Sequence, residues 1–457
     1  MAEPHAEIQE AKQTWKFPRE FWLANVMELL ERAAYYGFFI VLTLYLTRIV
    51  GFSDKETGVV GGVFFAGLYF LPPFVGAVAD RIGFKRGLMV AFGLLTVGYF
   101  FLGVFHSKIA VLFFLAVVMT GGSFIKPLIT GTVAKTTTEV NRARGYSLFY
   151  WIVNIGAFGG KTVVPWVRQG IGVEYVNFFS SGMSFLALLV VIFFFKKVER
   201  DGERKSVKDV TRAFWRILRQ PRLMILTLIV AGFWIIQHQL YATMPKFVIR
   251  MVGEDAKPEW LANVNPAVVV VFVVVVTQLM KKRKAVSSML VGMLLMPFSA
   301  LAMSAGPALE AWIGRDSVNL IAFALHPLTV MMVVGIAIQG LAECFISPRF
   351  LEYFSVLAPK GEEGTYLGFS HLHSFISALA GFIMSGFLLD AYCPDPKTLP
   401  AGITAAERAV YYAHAHHIWY YFAAIGTTSA IALALFWVVT NHLDAKNEGH
   451  PVGASDG

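Results

Sequence analysis

Apolar runs of about twenty residues, the length needed to cross a bilayer, recur along nearly the whole of this chain. Of its 457 residues, 56% are hydrophobic and only 15% charged, and its mean hydropathy is +0.60. That describes a polytopic membrane protein and excludes a soluble domain. The runs predict twelve helices, over 21–50, 56–80, 87–106, 109–135, 145–168, 173–196, 221–249, 260–281, 286–306, 325–357, 364–390 and 410–440. The fold class read from them is an all-α membrane protein with 12 transmembrane helices.

The net charge of +9 comes from Lys and Arg gathered between apolar runs. This is the pattern of cytoplasmic loops, and it argues against a nucleic-acid partner. Lys12, Lys16 and Arg19 precede the first span, Arg81, Lys85 and Arg86 follow the second, and Arg142 and Arg144 follow the fourth. Ten more lie between Lys196 and Arg222, and Lys281 to Lys284 form another basic run after the eighth. With twelve crossings all of these fall on one side, so both termini are expected in the cytoplasm of a cell-membrane protein. The first eighteen residues lack the apolar core of a cleaved signal, so the first span is expected to be retained.

Residues 197–220 divide the chain six spans from six, giving expected units 1–196 and 221–457 joined by a cytoplasmic linker. The linker's composition predicts a short amphipathic helix on the membrane surface. Cys344 and Cys393 form neither a disulfide framework nor a metal motif. No phosphate-binding loop occurs, and no cofactor is expected.

The first span holds E-L-L-E-R-A-A-Y-Y-G at 28–37. Ionisable groups inside a span usually face an internal cavity and mark a substrate or ion path. At helical spacing Glu28, Arg32, Tyr35 and Phe39 share one stripe, flanked by Glu31 and Tyr36. A buried ion pair that fixes helix packing is the alternative reading. Lys126 in the fourth span lies at matching depth, so an ion pair between the two spans is geometrically possible. Burial favours a neutral carboxyl and a nearby cation favours the carboxylate. A site with both can exchange a proton as its partners move. Glu343 lies near the middle of the tenth span, with Ser347 one turn on; a structural partner for a base is its alternative role. Arg349 and Glu352, at i and i+3, read as a local pair or gate.

Four stretches together resemble the proton-coupled oligopeptide transporters of the major facilitator superfamily. They are E-x-x-E-R-x-x-Y-Y-G at 28–37, G-G-S-F-I-K-P at 121–127, F-Y-W-I-V-N-I-G at 149–156, and E-C-F-I-S-P followed by V-L-A-P within 343–359. The loop G-A-V-A-D-R-I-G-F-K-R at 76–86 is similar to the superfamily's conformational motif, with Gly76, Asp80, Arg81 and Gly83 at its positions. The resemblance implies the major facilitator fold, with two six-helix bundles around a midplane site. It also implies proton-driven symport of small peptides or peptide-like solutes. By the same resemblance, Glu28, Glu31, Arg32 and Lys126 couple protons and Glu343 meets the peptide's amino end. Tyr35, Tyr36, Phe39, Asn154, Lys161, Trp234, His238 and Ser347 complete the expected substrate site.

The sequence departs from that family at Phe39, where an arginine usually holds the peptide carboxylate. A phenyl ring cannot make that charge-assisted bond. Lys161 is a candidate replacement; its alternative is a lysine snorkelling to the interface. His238 stands where the family often has glutamate. It, His371 and His373 can join a proton path or be hydrogen-bonded interior residues. His414, His416 and His417, among Tyr411, Tyr412, Trp419, Tyr420 and Tyr421, read as an aromatic belt in preference to a metal site. Three further readings stand beside peptide symport. One is a solute lacking a free carboxylate. Another is a membrane-embedded enzyme, against which HExxH and GxSxG are both missing. The last is a non-transporting receptor, against which the charged residues argue.

Overall fold

The computed structural model describes residues 15–138, 141–196, 206–315, 317–320, 323–358 and 363–448. The first half contains α1 Arg19–Arg48, α2 Asp54–Phe70, α3 Pro72–Ile82, α4 Phe84–Val104, α5 Lys108–Lys135, α6 Arg142–Gly170 and α7 Val176–Leu189. A short helix α8, Val207–Leu218, follows. The second half begins with α9 Pro221–Gln237, α10 Gln239–Ala242, α11 Met244–Val252, α12 Pro258–Leu261 and α13 Val264–Met280. It continues through α14 Ala285–Ser304, α15 Gly306–Ile313, α16 Pro327–Val356, α17 Glu363–Ser370, α18 Leu372–Tyr392, α19 Ala405–Tyr412 and α20 His417–Glu448. Between α15 and α16 lies a short antiparallel pair that the sequence did not announce, β1 Val318–Leu320 with β2 Phe323–Leu325, in register Leu320↔Phe323.

Among the described residues ten helices are long and apolar enough to cross a membrane, or eleven with the bent pair α2–α3. The twelfth expected span is α6. It has the length, but Asn154, Lys161, Thr162 and Arg168 lower its hydropathy; their polar groups bond carbonyls within α6 or reach across to Glu259 of α12 and the Ala262 carbonyl just beyond it. Several predicted spans are broken. The run 56–80 bends by 47° between Asp54–Phe70 and Pro72–Ala79, because Pro72 and Pro73 lack the N–H groups that would continue the helical ladder. The run 221–249 is interrupted at His238 and Thr243, and 364–390 at His371. Broken helices in such a bundle expose backbone where a cavity is lined.

α1 packs against α6 and α7, and α4 against α5 and α7; α16 packs against α13 and α14, and α20 against α9 and α14. The principal seam between the two sets is α2 against α18. A Cβ on Gly58 would lie 2.5 Å from the Phe382 carbonyl, and one on Gly386 would lie 2.5 Å from that of Asp54. Each glycine therefore lets its helix touch the other's backbone. The expected linker helix is present as α8, opened by a Ser206–Asp209 capping box. Residues 197–205 of the linker lie outside the described residues.

Candidate functional site

On α1, Glu28, Glu31 and Arg32 are all buried. Arg32 Nε donates to Glu31 Oε2 at 2.5 Å and lies 3.3 Å from Glu28 Oε1. Its guanidinium stands 5.0 Å from the Tyr35 ring centre and 5.9 Å from that of Tyr36. One cation thus holds two carboxylates and two aromatic faces. The helices allow this because a Cβ on Gly156 of α6 would come within 2.7 Å of Arg32 Cβ and of the Leu29 carbonyl. A larger residue would push α6 away from the charges.

Lys126 takes no carboxylate within ion-pair distance among the described residues, so the pairing between α1 and α5 considered from sequence is not made in this conformation. Arg32 already occupies both acids. The Lys126 ammonium instead lies 5.3 Å from the Tyr69 ring, and its side chain is exposed. Tyr69 in turn approaches His238 at 6.1 Å and His371 at 6.4 Å. A phenol from the first half therefore separates the lysine from imidazoles of the second.

Glu343 on α16 accepts from Gln237 Nε2 at 2.8 Å and Asn265 Nδ2 at 3.3 Å, both on Oε2. Neither partner is a base, so among the described residues the structural ion-pair alternative for Glu343 is not realised. Among the described residues Gln237 Oε1, Gln339 Oε1 and Ser347 Oγ are buried without hydrogen-bond partners. Gln237 and Gln339 were missed from the sequence, although both are amides inside apolar spans. Trp234 stacks on His373 at 5.4 Å and 4°, and His373 Nδ1 meets Ser374 Oγ at 2.8 Å. His238 is buried with Nε2 unpartnered. Asn154 Nδ2 donates to the Tyr150 carbonyl one turn back at 2.8 Å.

One expectation needs correction. Phe39 does not line an open cavity here: it is 3% exposed. Its ring stacks on Tyr241 at 4.0 Å and 8° and abuts Phe65 at 3.8 Å. It joins an aromatic plug between the halves, because α10 and α11 close over that end of α1. For Lys161 the snorkelling alternative is not realised. It is 1% exposed, donates to the Ala262 carbonyl at 3.1 Å and lies 5.5 Å from the Tyr36 ring.

The face opposite the linker carries a set of inter-half ion pairs that sequence reasoning missed. Asp54 accepts from Lys246 Nζ at 2.6 Å and from Arg250 at 2.8 and 3.0 Å. Arg250 also reaches the Cys393 carbonyl at 2.5 Å and Asp395 at 3.3 Å. Arg168 Nε meets Glu259 at 2.5 Å, with both side chains buried. Arg48 clamps Glu254 through two bonds of 2.7 Å, which hold its carboxyl below the usual range. Lys55 meets Asp390 at 2.7 Å. Lys246 lay inside a predicted span, so the argument that singled out Glu28 would also have found it.

In the 76–86 loop Gly83 has φ +87°, a conformation suited to glycine, and it supplies the expected turn between α3 and α4. A Cβ on Gly76 would stand 3.4 Å from Pro127 Cβ. Arg81 is exposed, and the side chain of Asp80 lies outside the described residues. Arg349 pairs locally with Glu352 at 2.6 Å. His414, His416 and His417 lie against one another and Tyr420. Among the described residues no group of three or more His, Cys, Asp or Glu side chains is placed to hold a metal.

The sequence signature of the Major Facilitator Superfamily matches residues 24–314. Dipeptide and tripeptide permease A of Erwinia pyrifoliae is 27% identical over 239 residues, 50% of this chain and 47% of that one. The chain thus spans about half the length of that relative. Multidrug resistance protein MdtH of Cronobacter sakazakii is 23% identical over 360 residues, 78% of this chain and 83% of that one. The crystal structure of the POT family transporter PepTSo superposes with a TM-score of 0.73 at 17% identity, over 93% of this chain and 99% of the other.

Proposed function

The chain belongs to the Major Facilitator Superfamily, and from that premise we propose that it is a proton-coupled symporter of small peptides or peptide-like solutes. The observation that carries this reading is the pairing of two unlike polar sites across one seam. One half holds a carboxylate pair on a single arginine, Glu28 and Glu31 with Arg32. The other holds Glu343 with neutral donors only.

Glu343 and the free acceptors Gln237 Oε1, Gln339 Oε1 and Ser347 Oγ suit a substrate ammonium, which brings three donors. Protonation of a carboxylate at Glu28–Glu31 loosens Arg32, and Lys126 beside Tyr69 is the cation poised to respond. The far-face ion pairs tie the two halves together on that side. Gly76, Asp80, Arg81 and Gly83 shape the turn on the linker side. We place the protein in the cell's inner membrane, with the linker and both termini cytoplasmic, dividing 1–196 from 221–457. Impermeant labelling of an Arg212→Cys variant from outside intact cells would overturn that orientation.

A second reading, transport of a solute without a free carboxylate, is favoured by Phe39, whose phenyl ring, packed on Tyr241, offers no charge-assisted bond to a carboxylate. The test is proton-driven uptake into proteoliposomes of free, amine-blocked and carboxyl-amidated dipeptides. Peptide symport predicts that Glu343→Gln weakens free-amine peptides by about tenfold, near 1.4 kcal/mol, and leaves amine-blocked ones unchanged. Indifference to amidation in wild type favours the second reading. Equal loss for all peptides assigns Glu343 a structural role.

A further inference from the structure

α8 carries a surface that transport does not use. At 100° per residue, Lys208, Arg212, Trp215 and Arg219 fall within about 60° of one another. All four side chains are exposed, Trp215 by 56%. The opposite face is spent on the protein. Val210 and Ile217 are buried. The Phe214 ring lies 5.7 Å from Phe70 and 6.2 Å from Phe74, on the two sides of the α2–α3 bend. It lies 5.4 Å from Phe369 of α17. One ring of the linker helix therefore wedges against both halves at the end of their common seam.

The acid on this helix is Asp209. It is engaged by Ser206 N at 3.0 Å and Ser206 Oγ at 2.6 Å, bonds that hold its carboxyl below the usual range. It neutralises the face only weakly, lying 3.5 Å from Arg212 in an exposed pair. What remains is a basic stripe with a tryptophan at its centre, at the edge of a helical bundle that spans a bilayer. Tryptophan settles at the headgroup level, and clustered basic residues beside a membrane attract anionic lipid.

We propose that the exposed face of α8 docks anionic phospholipid headgroups of the leaflet on the linker side. Headgroups held there keep α8 in place and with it the Phe214 wedge, so the lipid braces the α2–α18 seam in the conformation described. Charge complementarity selects the lipid: a zwitterionic headgroup offers the stripe no net charge.

The test uses the full chain in nanodiscs and reads lipid contact directly, independently of any transported solute. A bimane is attached through Val207→Cys, which flanks the stripe; native Cys344 and Cys393 are buried and do not compete. Brominated phosphatidylglycerol, diluted into phosphatidylcholine, is expected to quench the bimane more than equally diluted brominated phosphatidylcholine does. Each of Lys208→Gln, Arg212→Gln and Arg219→Gln should lower that enrichment by up to roughly fivefold, the equivalent of about 1 kcal/mol per basic residue. High salt should abolish it. Phe214→Ala should keep the enrichment while loosening the seam, read as greater cysteine accessibility at an introduced Phe369→Cys. Equal quenching by the two brominated lipids in wild type overturns the proposal, as does enrichment that survives loss of all three charges.

Discussion

Truncating Phe39 to alanine removes a ring that stacks on Tyr241 and abuts Phe65. Loss of a fully packed aromatic side chain costs about 3–5 kcal/mol. Because this ring joins the halves, part of that loss should appear as opening of the far face. The expected outcome for Phe39→Ala is a lower melting temperature together with faster modification of an introduced Thr43→Cys from the far side. Unchanged accessibility would return Phe39 to a role inside one half. The sequence showed that Phe39 shares a stripe with Glu28 and Arg32, and the structure keeps that stripe. It did not show that α10 closes over its end, since the contact from Phe39 to Tyr241 joins residues remote in sequence. Lys161 illustrates the same limit: its depth was legible, but its acceptor is the Ala262 carbonyl in the turn between α12 and α13 of the other half.

Among the elements, the α2–α18 crossing depends on glycine at both contact points. Alanine at Gly58 or Gly386 would place a methyl group 2.5 Å from a backbone carbonyl of the facing helix, and backbone cannot move aside as a side chain can. Overpacking of this kind costs roughly 1–3 kcal/mol. Gly58→Ala and Gly386→Ala should each lower the melting temperature, whereas Gly93→Ala, with open space around it, should not. Equal melting of all three would show that the crossing tolerates separation. Gly58, Gly61, Gly62 and Gly67 crowd the 56–80 run, small residues at the spacing that lets helices approach closely, and Pro72–Pro73 was a visible signal for the bend within that run, which is predicted above as one continuous helix. The polarity of α6 reflects its partners elsewhere in the protein, so hydropathy alone undercounts it.

For the whole molecule, the far-face ion pairs are the feature that defines which side is shut. Asp54→Asn would leave Lys246 and Arg250 buried with one carboxylate fewer, and breaking a buried pair costs about 3–5 kcal/mol. The variant should shift the population towards an open far face, measured as a longer distance between spin labels placed on α2 and α11 near that face. An unchanged distance distribution would make the network a local support only. These partners lie in different halves, so no spacing rule could have paired them from sequence. The charged stretch on α1, by contrast, was conspicuous because it stands inside one apolar run. The account's central claim is that substrate and proton move together through that stretch. The measurement that tests it most directly follows lumenal pH with an entrapped dye while dipeptide enters proteoliposomes. The account predicts acidification on peptide addition in wild type, and its loss in Glu28→Gln while peptide counterflow persists. Peptide entry without acidification in wild type would contradict it.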